Sequence, residues 1–230
     1  MTRKQLALAT LAVAALSAVP PLLADVDTQS RLGFSASFDQ KNGFKLETAT
    51  EQRINNDISD YCYGEYDVGF SYTVNPYVTI TPLFRFVETR STAPGADHSY
   101  TGEFRPMLNL NLKYTAADWR FDDRNRFEWR NYEQAEKDEC LRYRNRLKIS
   151  SPWKWTSLKI NPFVSGELFQ DVTGTKKALQ NWELVAGAAL SVTDTFGLDL
   201  YYMAELKEDA AAHDTRQTAN IIGLAAKLNF

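Results

Sequence analysis

The sequence predicts an all-β protein, an antiparallel transmembrane β-barrel of about 10–12 strands. Three observations point there. The chain closes on an alternating strand that stops at the aromatic Phe230, residues 1–24 read as an export signal, and strand-like runs recur between turns of alternating length.

At the amino end, Arg3 and Lys4 form a short basic segment, and Leu6 to Val19 form an apolar stretch rich in alanine and leucine. About 14 apolar residues fall short of the ~20 that a spanning helix needs, so this segment is expected to be a secretory signal. Cleavage is expected after Ala24, although Leu22 departs from the small-residue preference at such sites. Removing 24 of the 230 residues leaves 206, enough for one domain, a barrel over 25–230. Loss of Arg3 and Lys4 takes the formal charge from −3 to −5, which gives no reason to expect nucleic acid as a partner. The mean hydropathy of −0.39 is no objection to a membrane, because alternating strands average out.

The runs follow in order, with period 2. Leu32, Phe34, Ala36 and Phe38 share a face before a turn at Lys41-Asn42-Gly43. Phe44 and Leu46 begin a run that carries Lys45, Glu47, Glu51 and Arg53. Tyr66, Val68, Phe70 and Tyr72 alternate with Glu65, Asp67, Gly69 and Ser71, and Val78, Ile80, Phe84 and Phe86 follow Asn75-Pro76. Leu108, Leu110, Leu112 and Tyr114 alternate with Asn109, Asn111 and Lys113. Trp119, Phe121, Phe127 and Trp129 oppose Arg120, Asp122, Arg124, Arg126, Glu128 and Arg130. Leu141, Tyr143, Leu147 and Ile149 oppose Arg142, Arg144, Arg146 and Lys148. Later runs hold Leu158 to Leu168, Trp182 to Val192 and Phe196 to Leu206, and the last places Ile222, Leu224, Ala226, Leu228 and Phe230 on one face.

Short connections are expected near Asn42, Asn75, Ala117, Pro152 and Asp194, and longer polar ones over 55–60, 91–99, 133–139, 171–180 and 208–216. Short turns on one side and long loops on the other are the outer-membrane pattern. Two features resist it. Eleven runs are an odd count for a bacterial single-chain barrel, so either the run at Leu32 to Phe38 is no ordinary crossing or a strand is missed. Pro82, Pro106 and Pro162 each remove a ladder donor inside a run and are expected to mark bulges.

The orientation of the faces follows from cost. Cations on the hydrocarbon side would each cost roughly 2–4 kcal/mol at the midplane, so in a membrane the basic face of Leu141 to Ser150 must look inward. A soluble barrel of lipocalin type would show the same alternation with the faces exchanged. Loop asymmetry, Phe230 and the turn-side aromatics Tyr72, Tyr77, Tyr114, Trp119, Trp153, Trp155 and Phe196 favour the membrane. Asn125 and Asn145 fall on the outward face, nearly opposite each other across a hairpin, where their amides can pair. Asp123, on the same face, calls for a bulge or a protein contact.

The candidate site is an inward charge ladder of Arg105, Arg120, Arg124, Arg126, Arg130, Arg142, Arg144 and Arg146 with Glu103, Glu128 and Glu167. Approximate register sets Arg105 near Glu128 and Glu103 near Arg130, and Glu65, Asp67, Glu183, Asp199 and Glu205 are further acids. Guanidinium forks suit carboxylate and phosphate, so the ladder reads as a channel guiding anionic solutes. Interleaved signs equally suit a filled barrel that conducts little. Cys62 and Cys140, alone in the mature chain, are expected to form a disulfide joining the first and third long loops. His98 beside Asp97 and His213 beside Asp214 raise a rim protease as an alternative, although two solvated loop histidines explain them as well. No nucleophile motif, metal-ligand cluster or phosphate loop stands out, so no catalytic residue, metal or cofactor is expected.

Arg124-Asn125-Arg126-Phe127-Glu128, Arg142 to Leu147, Asn161-Pro162-Phe163, Gly166 to Phe169 and the closing strand resemble the bacterial domain-of-unknown-function family 2490, over roughly Tyr63 to Phe230. The resemblance implies an outer-membrane barrel without an assigned activity. More distantly, the hairpin layout is similar to that of oligogalacturonate-type porins, which implies acidic oligosaccharides as one solute and a further strand before Leu32. The expectation is a narrow porin in the bacterial outer membrane for small anionic or sugar-like solutes. Its partners are membrane lipid and the barrel-assembly machinery, which would read the closing strand. A non-conducting structural barrel, a soluble lipid-binding barrel and a rim protease are the alternatives.

Overall fold

The computed structural model describes residues 26–91, 99–134, 137–155, 159–173, 179–209 and 214–230. Eleven strands make one closed barrel: β1 (Asp27–Asp39), β2 (Phe44–Asn55), β3 (Asp60–Asn75), β4 (Val78–Arg90), β5 (Tyr100–Ala116), β6 (Trp119–Tyr132), β7 (Cys140–Ser150), β8 (Asn161–Asp171), β9 (Leu179–Ser191), β10 (Phe196–Asp209) and β11 (Asp214–Asn229). Each strand pairs antiparallel with the next, and β1 closes on β11 in parallel, from Asp27↔Ala219 to Ser37↔Asn229. That closing pair resolves the odd count. Ten successive reversals leave strand eleven running the same way as strand one, so the seam of such a barrel must be parallel. The run at Leu32 to Phe38 is therefore a full wall strand, although not an ordinary antiparallel neighbour of the last one.

The two rims differ. At the loop rim the start of β1 meets the connection after β2: the Asp57 amide donates to Asp27 Oδ1 at 3.1 Å and the Ile58 amide to the Thr28 carbonyl at 3.2 Å. At the turn rim Phe230 is tied to the end of β1, its amide donating to the Ser37 carbonyl at 2.9 Å, and its ring stacks on Phe38 at 5.2 Å. Further ring pairs line this rim, Phe44 with Tyr72 at 4.6 Å, Tyr114 with Phe121 at 4.6 Å and Trp119 with Trp153 at 5.4 Å.

Three expectations need correction. The connection at Pro152 is not short: residues 151–160 separate β7 from β8, pinched by a bridge between Trp155 and Ile160 whose two amide–carbonyl bonds are both 2.9 Å. Pro82 and Pro106 mark no bulge. The β3–β4 ladder skips Phe70 and Ser71 opposite Pro82 and Thr81, and the β5–β6 ladder skips Arg105 and Pro106, yet the register resumes unchanged in both. The shifts lie elsewhere, after Arg53, Thr73, Phe169 and Glu205. The third correction concerns the cysteines, which are both free thiols. Cys62 lies in β3 at the register shift opposite Arg53 and Ile54, half-buried, and its thiol faces the Arg53 carbonyl at 3.5 Å. Cys140 opens β7 on the parity of the inward Arg142 and Arg144 and is buried. The two thiols sit on β3 and β7, with β4, β5 and β6 between them along the wall.

The Ala117-Asp118 hairpin has both central residues at positive φ, 48° and 65°, the twist that a two-residue β-turn requires. Alanine is poorly suited to this region, because its Cβ crowds the following carbonyl. Ala117→Gly is therefore expected to raise stability by about 0.5–1 kcal/mol, seen as a higher urea midpoint at unchanged slope.

Alternation sorts the side chains cleanly. Trp129, Leu147, Phe70, Phe86, Leu200 and Ile222 are exposed on the outer surface, whereas Arg31, Arg85, Arg126, Glu128, Glu167 and Glu183 are buried. Inside, the β9–β11 wall carries an apolar cluster: Met203, Ala219 and Ile221 pack with Val185 and Tyr201. Tyr201 is registered between Gly187 and Gly223, and a Cβ at Gly223 would collide with its ring, so glycine there makes the space the aromatic fills.

Candidate functional site: the charged interior

Ion pairs that skip strands show where the charged faces point. Arg31 on β1 reaches Glu183 on β9 at 2.8 Å and Glu205 on β10 at 3.2 Å, and Lys148 on β7 reaches Asp199 on β10 at 3.2 Å. Side chains on strands so far apart along the wall meet only across the interior.

Register arranges these charges in hoops. One runs Asn111↔Arg124↔Arg146↔Glu167↔Glu183↔Glu205 from β5 to β10, and the next begins Asn109↔Arg126↔Arg144↔Phe169. Like charges directly opposite one another repel, so each hoop needs partners from outside it. Glu183 and Glu205 share Arg31. Glu167 accepts from Arg124 at 2.7 Å and Arg144 at 2.8 Å. Glu128, without exposed surface, lies 2.9 Å from Arg144, 3.5 Å from Arg126 and 3.9 Å from Arg105.

The remaining ladder residues fall into pairs as well. Arg105 holds Glu103 with two bonds of 2.7 Å, and Arg130 grips the same carboxylate at 2.6 and 3.0 Å. Arg142 pairs with Asp171 at 2.6 Å, and Arg126 donates to Asn109 at 2.7 Å. Arg120 pairs with Asp122 at 2.8 Å but is largely exposed at the turn rim. Arg146 stands apart: among the described residues it makes no side-chain hydrogen bond or ion pair, and its Nε is buried without a partner. The guanidinium of Arg144 also lies 4.1 Å from the Phe169 ring, and the Lys148 ammonium 3.6 Å from that of Phe163, aromatic faces that suit cations.

Arg31 and Arg85 complete the network and were missed by sequence reasoning. Arg85 binds Asp67 at 2.6 and 2.7 Å and Glu65 at 2.6 Å. A signal for it was present, since Arg85 alternates with the outward Phe84 and Phe86; Arg31 likewise precedes the outward Leu32.

Four cavities follow one another through this interior. One of about 270 Å³ at the loop rim is bounded by Arg53, Arg144 and Glu183, which it shares with a central one of about 320 Å³. The central cavity adjoins one of about 470 Å³ across Glu65, Arg85, Arg124, Arg126 and Arg146. A fourth, of about 390 Å³, extends past Arg124 and Arg146 toward Arg120 and Ser150 at the turn rim. Paired charges thus form the partitions, and open spaces lined by polar side chains lie between them.

On the outer surface Asp123 has the partner its position demands. Its carboxylate accepts from the amides of Asn145 at 2.6 Å and Asn125 at 3.2 Å, and Asn125 accepts from the Tyr143 hydroxyl at 2.5 Å. Asn125 and Asn145 are directly paired, with no bulge. His98 and His213, the basis of the protease alternative, lie outside the described residues. Among the described residues no group of histidine, cysteine and acidic side chains is placed to hold a metal.

The family described as protein of unknown function (DUF2490) matches residues 29–216, from β1 into β11. The chain belongs to that family. The match takes in β1, so the DUF2490 region begins well before Tyr63, with the strand that completes the closed wall. No curated protein matches this DUF2490 chain.

Proposed function

We propose that this DUF2490 protein is a bacterial outer-membrane barrel whose interior is a narrow, anion-preferring path for small solutes. The observation that carries the proposal is the division of faces: large apolar side chains cover the outside of a closed wall, and buried arginines and glutamates fill the inside. A soluble lipid-binding barrel needs the reverse arrangement, with apolar side chains within. Strands of 11 to 17 residues meet or exceed the ~9–11 that a tilted crossing requires. The ring pairs at the turn rim, together with Trp129, Tyr66 and Trp182 toward the other rim, match the aromatic girdles of such barrels. Membrane lipid is then the main partner, and the strand ending in Phe230 is the segment the barrel-assembly machinery would read. The role is passage rather than catalysis.

Anion preference follows from the β6–β7 wall, where cations outnumber the carboxylates that touch them. The ion pairs that cross the interior favour a second reading, a filled barrel that does not conduct. Planar-bilayer recording of refolded protein separates the two. Discrete steps with a reversal potential shifted toward the anion in a salt gradient are expected; silence would establish the filled barrel instead.

A further inference from the structure

We infer that Arg146, with Arg124 beside it, forms a binding site for an oxyanion, a carboxylate or phosphate group, at the junction of the inner cavities. The inference deepens the anion-preferring reading and rests on it for the origin of the ligand. Three observations carry it.

The first is position. Arg124 and Arg146 both line the central cavity and the two beyond it, so a solute moving along the interior passes them whichever inner space it uses. The second is charge. Arg124, Arg126, Arg144 and Arg146 share two carboxylates, Glu128 and Glu167, both already engaged by Arg144. Arg124 and Arg146 are directly opposite in register, a repulsive arrangement that Glu167, opposite Arg146 and shared with Arg124 and Arg144, offsets only in part and a further anion would relieve. The third is open hydrogen-bonding capacity. The Nε groups of Arg124 and Arg146 are buried without partners, and Arg146 has none at all among the described residues. A guanidinium presents its donors in a planar fork that matches two oxygens of one carboxylate or phosphate. Every other arginine of the predicted ladder has a partner for that fork, and Arg146 keeps its own.

The contrast sets the test. Paired arginines hold the barrel together, so their loss destabilises it; Arg146 should carry binding and little stability. Refolded protein in detergent micelles is titrated with inorganic phosphate by calorimetry at matched ionic strength, wild type against Arg146→Gln. The expected result is binding to the wild type, at least about tenfold weaker binding to the variant, and an unfolding temperature unchanged or raised. Equal affinity in the two proteins, no binding to the wild type, or a marked fall in unfolding temperature would each overturn the site. Should Arg146→Gln not refold, Arg146→Lys decides: it keeps a cation without the fork, several-fold weaker binding is expected, and unchanged affinity refutes the proposal. Conductance is not the readout. A silent barrel that binds phosphate through Arg146 loses the pore and keeps the site, and an anion-selective barrel whose phosphate affinity ignores Arg146 does the opposite.

Discussion

Glu128→Leu is expected to destabilise the barrel by about 3–5 kcal/mol, the cost of removing one partner from a buried ionic cluster. Glu128 has no exposed surface and is surrounded by Arg144, Arg126 and Arg105. Leucine fills the space but leaves Arg126 without a carboxylate and Arg144 with Glu167 alone, beside two further guanidinium groups. Urea unfolding of the micelle-refolded variant should show a lower midpoint at unchanged slope. Adding Arg144→Leu should recover part of the loss, because a charge pair removed whole leaves less uncompensated charge than one removed by half.

The second large effect belongs to the seam. Arg31→Met should cost a similar amount, about 3–5 kcal/mol, because it strips the shared cation from Glu183 and Glu205. Those carboxylates are partnered directly across β9 and β10, with Glu167 next in the same row. The like charges left facing each other across β9 and β10 set the gap between Arg31→Met and wild type. Glu183→Gln in the Arg31→Met background should narrow it at neutral pH. Equal stability of Arg31→Met and wild type at neutral pH would show that the seam does not depend on this contact.

Much of the wall was legible in the sequence because period 2 is unambiguous where one face is apolar and the other charged. Trp119 to Arg130 and Leu141 to Ser150 show this best, and the chain turns them into adjacent strands with Arg126 opposite Arg144. The closing of β1 on β11 was not legible, since no local pattern distinguishes a parallel neighbour from an antiparallel one; only the parity of the strand count does. Local sequence also misplaced the start of β8, because Ile160 continues the apolar parity of Val164 although the strand begins at Asn161; Leu158 lies outside the described residues. Cys62 and Cys140 misled for a different reason. Loop-closure reasoning ignores how many strands stand between two positions, and here β4, β5 and β6 separate the strands that carry them. Charge partners across the interior, such as Arg31 with Glu183, were beyond reach because they depend on circumference rather than on adjacency.

The parallel seam also gives the polypeptide a polarity relative to any membrane it crosses. Asp27 stands beside the β2–β3 connection at one rim, and Phe230 stands beside the β1–β2 turn at the other. In an even-stranded barrel the start of the first strand and the end of the last would share a rim; in the proposed membrane setting, labels at Asp27 and Phe230 would report different compartments. In the proposed membrane setting, insertion would have to carry one end of the folded ribbon to the far side of the bilayer before the wall could seal.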